Sequence, residues 1–238
     1  DHLLREFGNR NSGMAPLRNI RLSTGIINDF LASQIPSLET FTVSSNEIYY
    51  VEIDCPNLTY ADFSSNSISN LNNPNAPLLE TLFLRENQLS NKDCMSNLSS
   101  LKVLDLSYNY LSDLNLNHTP GLTSLKINNQ QVSMPNINLA PVPGLVTLDA
   151  KSCGLVNVDG INDLVLTDAT ELDFEGNALN KNSVVNLITR AHQHLTLAPP
   201  FNVAINKLYL HGGTNYDISG DPGVVAMYND LKAPGVDI

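Results

Sequence analysis

The residues best equipped for chemistry in this chain are carboxylates, and they recur at one position. Asp62, Asp105, Asp149 and Asp173 each stand between two apolar residues, as in Leu104-Asp105-Leu106. With Glu171 and Glu175, the last two make an acidic strip. Clustered carboxylate oxygens suit Ca²⁺, a hard cation that takes several of them. The Asp-x-Asp-x-Asp-Gly loop that usually holds the ion is missing, so no metal is expected. His192 and His194 lie two apart on an expected helix and therefore point in different directions. They make a poor metal pair. The chain has no Gly-x-Ser-x-Gly elbow, no Gly-Lys phosphate loop and no His-Glu-x-x-His. Gly212-Gly213 lacks a third glycine and a downstream lysine, and reads as a turn. No nucleophile, base and orienting group fall together. The expectation is a protein without catalysis of its own and without a cofactor.

Cysteine usage and charge narrow the classes further. Cys55, Cys94 and Cys153 are too few and too spread for a disulfide framework or a zinc knuckle. The net charge is −11, with 13 scattered basic residues. Nucleic-acid binding is disfavoured, because phosphate contact needs clustered Lys and Arg. No apolar run approaches the ~20 residues that a membrane helix needs, so no membrane insertion is expected. Charged residues are 16% of the chain, against about 25% in typical domains. Asn occurs 31 times. The chain opens on Asp1 without a basic-then-apolar leader, which suggests processing or a longer parent.

These residues need a frame, and the frame is written in a spacing. Apolar-x-x-apolar-x-apolar-x-x-(Asn)-x-apolar recurs, most clearly at Leu101, Leu104, Leu106, Asn109 and Leu111. Copies open at Leu17, Leu38, Leu58, Leu79, Leu101, Leu122, Leu145, Ala169 and Ile205. The first eight starts lie 20 to 24 residues apart. This is the signature of a leucine-rich repeat, in which each unit supplies one strand and one return turn. No unit can bury its own apolar face; only the stack makes a core. The expected fold is an α/β solenoid with one parallel sheet on the concave face. Residues two apart share a side of a strand, so Leu104 and Leu106, and their counterparts from Ile20/Leu22 to Leu208/Leu210, should face inward.

The Asn slot has a physical reason. After each strand the chain turns sharply at the core edge, and its backbone groups there need partners. An amide side chain carries both donors and an acceptor, so stacked copies form a ladder. Asn46, Asn66, Asn87, Asn109 and Asn177 are the expected rungs, with Cys153 as the usual substitute. Gly25, Gln130 and Gly213 depart from the pattern and predict looser or differently bonded turns, with a shifted slot at Gln130, where Asn128 and Asn129 lie just upstream. Residues that alternate with the inward pairs face out across the concave sheet. Tyr60, Asp62, Phe83, Arg85, Asp105, Lys126, Asp149 and Tyr209 are the binding candidates. Exposed Phe83 beside Tyr60 and Arg85 is the strongest, since aromatics and Arg dominate interface energies.

Residues 1–16 are expected to cap the stack, residues 17–180 to form the repeats, and residues 181–238 to form helix-containing terminal repeats and a C-terminal cap. Apolar spacing at Ile27–Ile35 is compatible with two helical turns. Returns between Asn46 and Gly144 are rich in Asn and Pro and read as coil, so the convex side should be mostly irregular. Val184, Leu187, Ile188, Ala191 and Leu195 repeat at helical spacing, with Asn182 or Ser183 as cap. Asp221-Pro222 opens a second helix, and Val236 and Ile238 suit a last edge strand.

Leu101-Lys-Val-Leu-Asp-Leu-Ser-Tyr-Asn109 and Leu58-Thr-Tyr-Ala-Asp-Phe-Ser-Ser-Asn66 resemble the roughly 21-residue leucine-rich repeats of bacterial surface proteins. The stretch from Leu208 to Ile238 resembles terminal repeats of phage virion and other large secreted proteins. The resemblance implies a non-enzymatic recognition solenoid of an extracellular or virion protein, with a cell-surface setting as the alternative. Its partner would be a protein, either another subunit of an assembly or a host surface receptor, or a host glycan. The rival readings are a structural spacer and a recognition domain joined to an enzyme outside this chain.

Overall fold

The computed structural model describes residues 17–23, 29–31, 37–93, 95–96, 98–196 and 205–232. Nine short strands stack into one parallel sheet: β1 (Asn19–Ser23), β3 (Thr40–Ser44), β5 (Tyr60–Asp62), β7 (Thr81–Phe83), β8 (Val103–Asp105), β9 (Ser124–Lys126), β11 (Thr147–Asp149), β13 (Glu171–Asp173) and β14 (Lys207–Tyr209). Most are three residues long, too short to stand alone. Their stability comes from what lies beneath them. The pairs Phe41/Val43, Ala61/Phe63, Leu82/Leu84, Leu104/Leu106, Leu125/Ile127, Leu148/Ala150 and Leu172/Phe174 are all buried. Ile20, Leu22 and Leu210, at the two ends, are partly buried against the same core. Each fully buried Leu contributes about 1.5–3 kcal/mol. The repeat starts from Leu38 to Leu145 are buried, but Leu17 is exposed. At the eighth start the slot shifts by one. Ala169 is exposed, while Thr170 is buried with its hydroxyl accepting from the Thr167 N–H at 2.8 Å.

The amide ladder runs along the edge of this sheet and is longer than the sequence predicts. Asn109 Nδ2 donates to the carbonyls of Leu84, Leu106 and Ser107 at 2.9, 3.0 and 3.2 Å. Its Oδ1 accepts from the Leu89 N–H at 2.9 Å. Each rung thus ties its own turn to the unit before it. Asn66, Asn87 and Asn177 repeat the pattern, and Asn46 donates to the Ser44 carbonyl. Cys153 Sγ donates to the Ile127 carbonyl at 3.0 Å, as expected of a substitute. Gln130 does not depart from the ladder. Its Nε2 bonds the carbonyls of Leu106 and Ile127 and its Oε1 accepts from the Leu111 N–H, all at 2.9 Å. The unit of Gly213 is also closed, because Asn215 serves two residues later. Its Oδ1 accepts from the Leu179 N–H and its Nδ2 reaches the Leu210 carbonyl, both at 2.7 Å. Gly25 lies outside the described residues.

Just before each rung the backbone is left-handed. Ser45, Ser65, Glu86, Tyr108, Asn129 and Ser152 have φ between 51° and 58°, and Gly176 has 70°. For a residue with a Cβ this conformation costs roughly 1–2 kcal/mol. It recurs because only that turn presents its carbonyls to the amide.

The return side carries two small parallel sheets where coil was expected. One joins β2 (Asp29–Leu31), β4 (Tyr50–Asp54) and β6 (Leu71–Asn75); the other joins β10 (Asn136–Asn138) and β12 (Asn157–Asp159). Within Ile27–Ile35, where helical turns were expected, residues 29–31 form strand β2 and the rest lies outside the described residues. Stacking brings returns of equal length into register, and that overrides the turn propensity of Asn and Pro. Among the described residues the other returns before Lys181 are irregular, apart from a single 3-10 turn at Ile161–Asp163.

Helix α1 (Lys181–Thr196) buries Val184, Leu187, Ile188 and Ala191, as its spacing predicts. Its cap is Asn180, not Asn182 or Ser183: Asn180 Oδ1 accepts from the Ser183 N–H at 2.9 Å. Ser183 is buried and receives the Val158 N–H instead. Helix α2 (Pro222–Lys232) buries Val224 and Leu231, with Asp221 Oδ1 receiving the Val224 N–H. Among the described residues no helix is long and apolar enough to cross a membrane. The expected N-terminal cap at 1–16, Cys94 and the expected strand at Val236–Ile238 lie outside the described residues.

Replacing Asn109 with Ala should lower stability by roughly 1–3 kcal/mol, because buried turn groups lose their partner. Asn117→Ala, on an exposed return, should change it by less than about 0.5 kcal/mol. Comparable losses in urea unfolding would remove the ladder from its place in the fold. A Cβ on Gly213 would stand 2.0 Å from the Asn177 carbonyl oxygen at φ +61°. Gly213→Ala should therefore cost roughly 2–4 kcal/mol, whereas Gly144→Ala, which meets nothing within 4 Å, should be nearly neutral in the same assay.

Candidate functional site

Register turns the alternating strand residues into one row. Arg21 lies beside Thr42, then Asp62, Phe83, Asp105, Lys126, Asp149, Asp173 and Tyr209, each pair directly opposite on neighbouring strands. Parallel strands sit about 4.8 Å apart, so the row is a rigid track of side chains over the concave sheet. Six of the eight binding candidates read from the sequence lie on it. Tyr60 and Arg85 flank it, one residue to either side of the inward pairs of their units.

The four aspartates have a local task that the spacing did not disclose. The Oδ1 atoms of Asp62, Asp105 and Asp173 accept the backbone N–H two residues on, from Ser64, Ser107 and Glu175, at 2.9–3.0 Å. Asp149 takes the Lys151 N–H at 3.4 Å. These are Asx turns that steer the chain out of the strand and into the left-handed residue. Asp at this position is therefore explained by the turn before any ligand is invoked.

The middle units hold an aromatic cluster. Phe83 is half-buried rather than exposed, because the Tyr60 ring packs edge-on against it with centroids 5.8 Å apart. This is the diagonal contact between neighbouring strands. Arg85 is exposed and reaches the other way, with its guanidinium 4.8 Å from the Tyr108 ring centre. Glu86 holds it at 2.9 Å and is itself fixed by the Ser65 hydroxyl at 2.8 Å. The Arg85 guanidinium is held charged by its bond to Glu86. The Glu86 carboxyl is pulled below its usual range, first by Ser65 and then by Arg85. Burial raises the Tyr60 hydroxyl, and Asp62 adds to it. Tyr108 and Glu86 escaped the sequence reading. The signal was there, since both occupy the left-handed slot just before a rung, but the contact of Tyr108 with Arg85 depends on stacking.

Further along, the acidic strip proves to be interleaved with lysines and a histidine. Lys151 Nζ lies 3.0 Å from Asp173 and 3.4 Å from Glu175, Lys207 pairs with Glu171 at 3.5 Å, and His211 meets Glu175 at 3.2 Å. The Asp173 bond is the main cause that keeps Lys151 protonated. Tyr209 stands between Lys151, at 5.9 Å, and the His211 ring, at 5.7 Å. Among the described residues no group of three or more His, Cys, Asp or Glu is placed to hold a metal ion. His192 turns to Asp230 on α2 at 3.1 Å. His194 is held below its usual range by burial and then by Arg190. Burial pushes the thiols of Cys55 and Cys153 up to about 12, so neither is a thiolate at neutral pH.

This geometry is the leucine-rich repeat solenoid, and solved structures carry the same fold. Internalin C2 from Listeria monocytogenes superposes with a TM-score of 0.55 at 20% identity, over 71% of this chain and 76% of that one. A leucine-rich repeat protein of Leptospira interrogans gives 0.67 at 17% identity, over 93% of this chain and 54% of that one. The leucine-rich repeat domain of APL1B gives 0.60 at 23% identity, over 74% and 58%. The chain thus spans little more than half the length of the last two. No protein-family model and no curated protein matches the chain. Likeness at these identities establishes the fold, and one fold hosts many tasks.

Asp149 offers a pH test of the row. Its carboxyl is raised above the usual range, first by burial and also by Asp173. The folded state therefore binds this proton more tightly than the unfolded chain, and ionisation opposes folding. The penalty is absent below the ordinary carboxylate value near 4 and grows as pH climbs through the raised one. Asp149→Asn keeps an acceptor for the Lys151 N–H and cannot ionise. It should melt above wild type at pH 7, with the gap closing below about pH 4. A gap independent of pH would refute the assignment.

Proposed function

We propose that this chain is a recognition solenoid that binds a protein partner along its concave face and has no catalysis of its own. The observation that carries the reading is the cluster of Tyr60, Phe83, Arg85 and Tyr108. Three aromatic rings and a stacked guanidinium are held on a rigid sheet, and the Arg is already oriented by Glu86. Such anchors, with low entropy to lose, are the residues that dominate interface energies. The charged stretch from Lys126 to Tyr209 would supply register and discrimination more than affinity, since its carboxylates and cations are largely paired with each other.

The repeats of residues 17–180 are the binding frame in this reading, and residues 181–238 close its end. The setting is extracellular, on a virion or on a cell surface. A low charge content, an Asn-rich composition and the likeness of the repeats to bacterial surface and phage virion proteins support that setting. The partner is a host receptor or a further subunit of an assembly. A net charge of −11 argues against a phosphate backbone as partner.

The test uses a panel of immobilised surface proteins and glycans. A ligand that binds the wild-type chain should lose affinity about 30-fold with Phe83→Ala or Arg85→Ala, the effect of one hot spot of about 2 kcal/mol. Val165→Ala, at an exposed residue off the concave row, should leave affinity unchanged. Unchanged binding by both row variants with intact circular dichroism would place the site elsewhere. Turnover of any hydrolase substrate that disappears with Asp149→Asn would overturn the non-enzymatic reading.

A further inference from the structure

A cavity of about 240 Å³ opens at the C-terminal end of the stack. Val184 and Ile188 of α1 and Leu210, just after β14, form its apolar floor. Ile218 adds to the apolar lining, and Tyr216 and Tyr228 supply aromatic walls. Each of these two rings has a lysine ammonium beside it. Lys181 Nζ lies 5.5 Å from the Tyr216 ring centre, and Lys232 Nζ lies 4.9 Å from that of Tyr228. Cation–π contacts of this kind fix a ring's orientation at a surface. The Tyr216 backbone is pinned too, its N–H donating to the Leu179 carbonyl at 2.8 Å beside the Asn215 rung. The cavity is therefore shaped before anything enters it.

His211, Asn215 and Asp217 add polar groups to the lining. His211 is turned to Glu175. Asp217 accepts the Ser219 N–H at 2.9 Å and its hydroxyl at 2.8 Å. A carboxylate offers about four acceptor positions, so Asp217 has room for another donor. Drug-sized ligands occupy roughly 300–1,000 Å³; this space suits one ring. Aromatic walls favour an aromatic guest, because rings pair edge-to-face or offset beyond what area alone supplies.

We propose that this cavity binds a compact aromatic ring carrying a hydrogen-bond donor, of phenol or indole size, with the ring between Tyr216 and Tyr228 and the donor on Asp217. The ring comes either from a free aromatic compound or from a Tyr or Trp side chain of a bound protein. The cavity shares no residue with the Tyr60, Phe83 and Arg85 cluster, so the inference stands apart from the concave reading.

Methyl NMR of the full chain tests it with p-cresol, indole and N-acetyl-tyrosine amide as probes. Saturable shifts are expected at Val184, Ile188, Leu210 and Ile218, with none at Leu82 or Leu104. Ile218→Trp, which fills the space, should weaken p-cresol binding at least tenfold. Tyr216→Ala, which removes a wall, should do the same without adding bulk, and Phe83→Ala should change nothing. Binding of the capped tyrosine as tightly as p-cresol identifies a side-chain seat; binding of free compounds alone identifies a small-molecule site. No shifts at millimolar probe overturn the proposal. So do shifts that survive both variants, and so do shifts that appear only after residues 233–238 are removed, since the cavity then seats this chain's own end.

Discussion

The structure depends on satisfying the backbone at one tight turn, repeated along the whole solenoid. Each strand must end within three to five residues, and the chain must leave the sheet at once to keep the period near 21. That exit exposes strand-end carbonyls to the core, where an unpaired group costs about 1–3 kcal/mol. One amide side chain answers the demand, as Asn109 does with three carbonyls of two units and the N–H of Leu89. The left-handed residue before each rung and the Asx turn of Asp62, Asp105, Asp149 and Asp173 serve the same exit. Apolar burial makes the stack stable, but the ladder makes it periodic.

Periodicity in turn makes the concave face. Because Leu82 aligns with Leu104 and Leu104 with Leu125, the residues after them align as well. A row of side chains results at the spacing of strands, with no loop to blur it. Neighbours on the row must then tolerate one another. Asp149 beside Asp173 is a like-charge pair, and it persists because Lys151 neutralises Asp173. Phe83 beside Asp62 persists because Tyr60 lies diagonally across its edge. The face is therefore internally paired over much of its length. The exposed Arg85, fixed between Tyr108 and Glu86, is where it is best prepared for a partner.

The C-terminal end follows a different rule. From β13 to β14 the interval lengthens to admit α1, and the rung arrives late, at Asn215 instead of the position of Gly213. The pair Gly212-Gly213 makes this possible, with φ of 74° and 61° and its backbone lying directly on the previous turn at Gly176 and Asn177. The two helices then shield Leu208 and Ile188 but leave Leu210, Tyr216, Ile218 and Tyr228 only partly covered.

Residue spacing was enough to read the period, the inward pairs, the rungs at Asn66, Asn87, Asn109, Cys153 and Asn177, and the faces of both helices from the sequence. All of these follow from local spacing, which stacking copies without change. It missed Gln130, whose amide is one methylene further out yet reaches the same carbonyls, and Asn215, because a glycine pair displaced the slot. It also read the returns around Pro74 and Asn136 as coil, since their strands form only by pairing with a unit some 21 residues away. Tertiary structure alone decided which side chains meet across units. Arg85 finds Tyr108, Phe83 finds Tyr60 and Lys151 finds Asp173 through register, and register is a property of the stack. No single repeat carries that information, because the energy that fixes it is shared between neighbours.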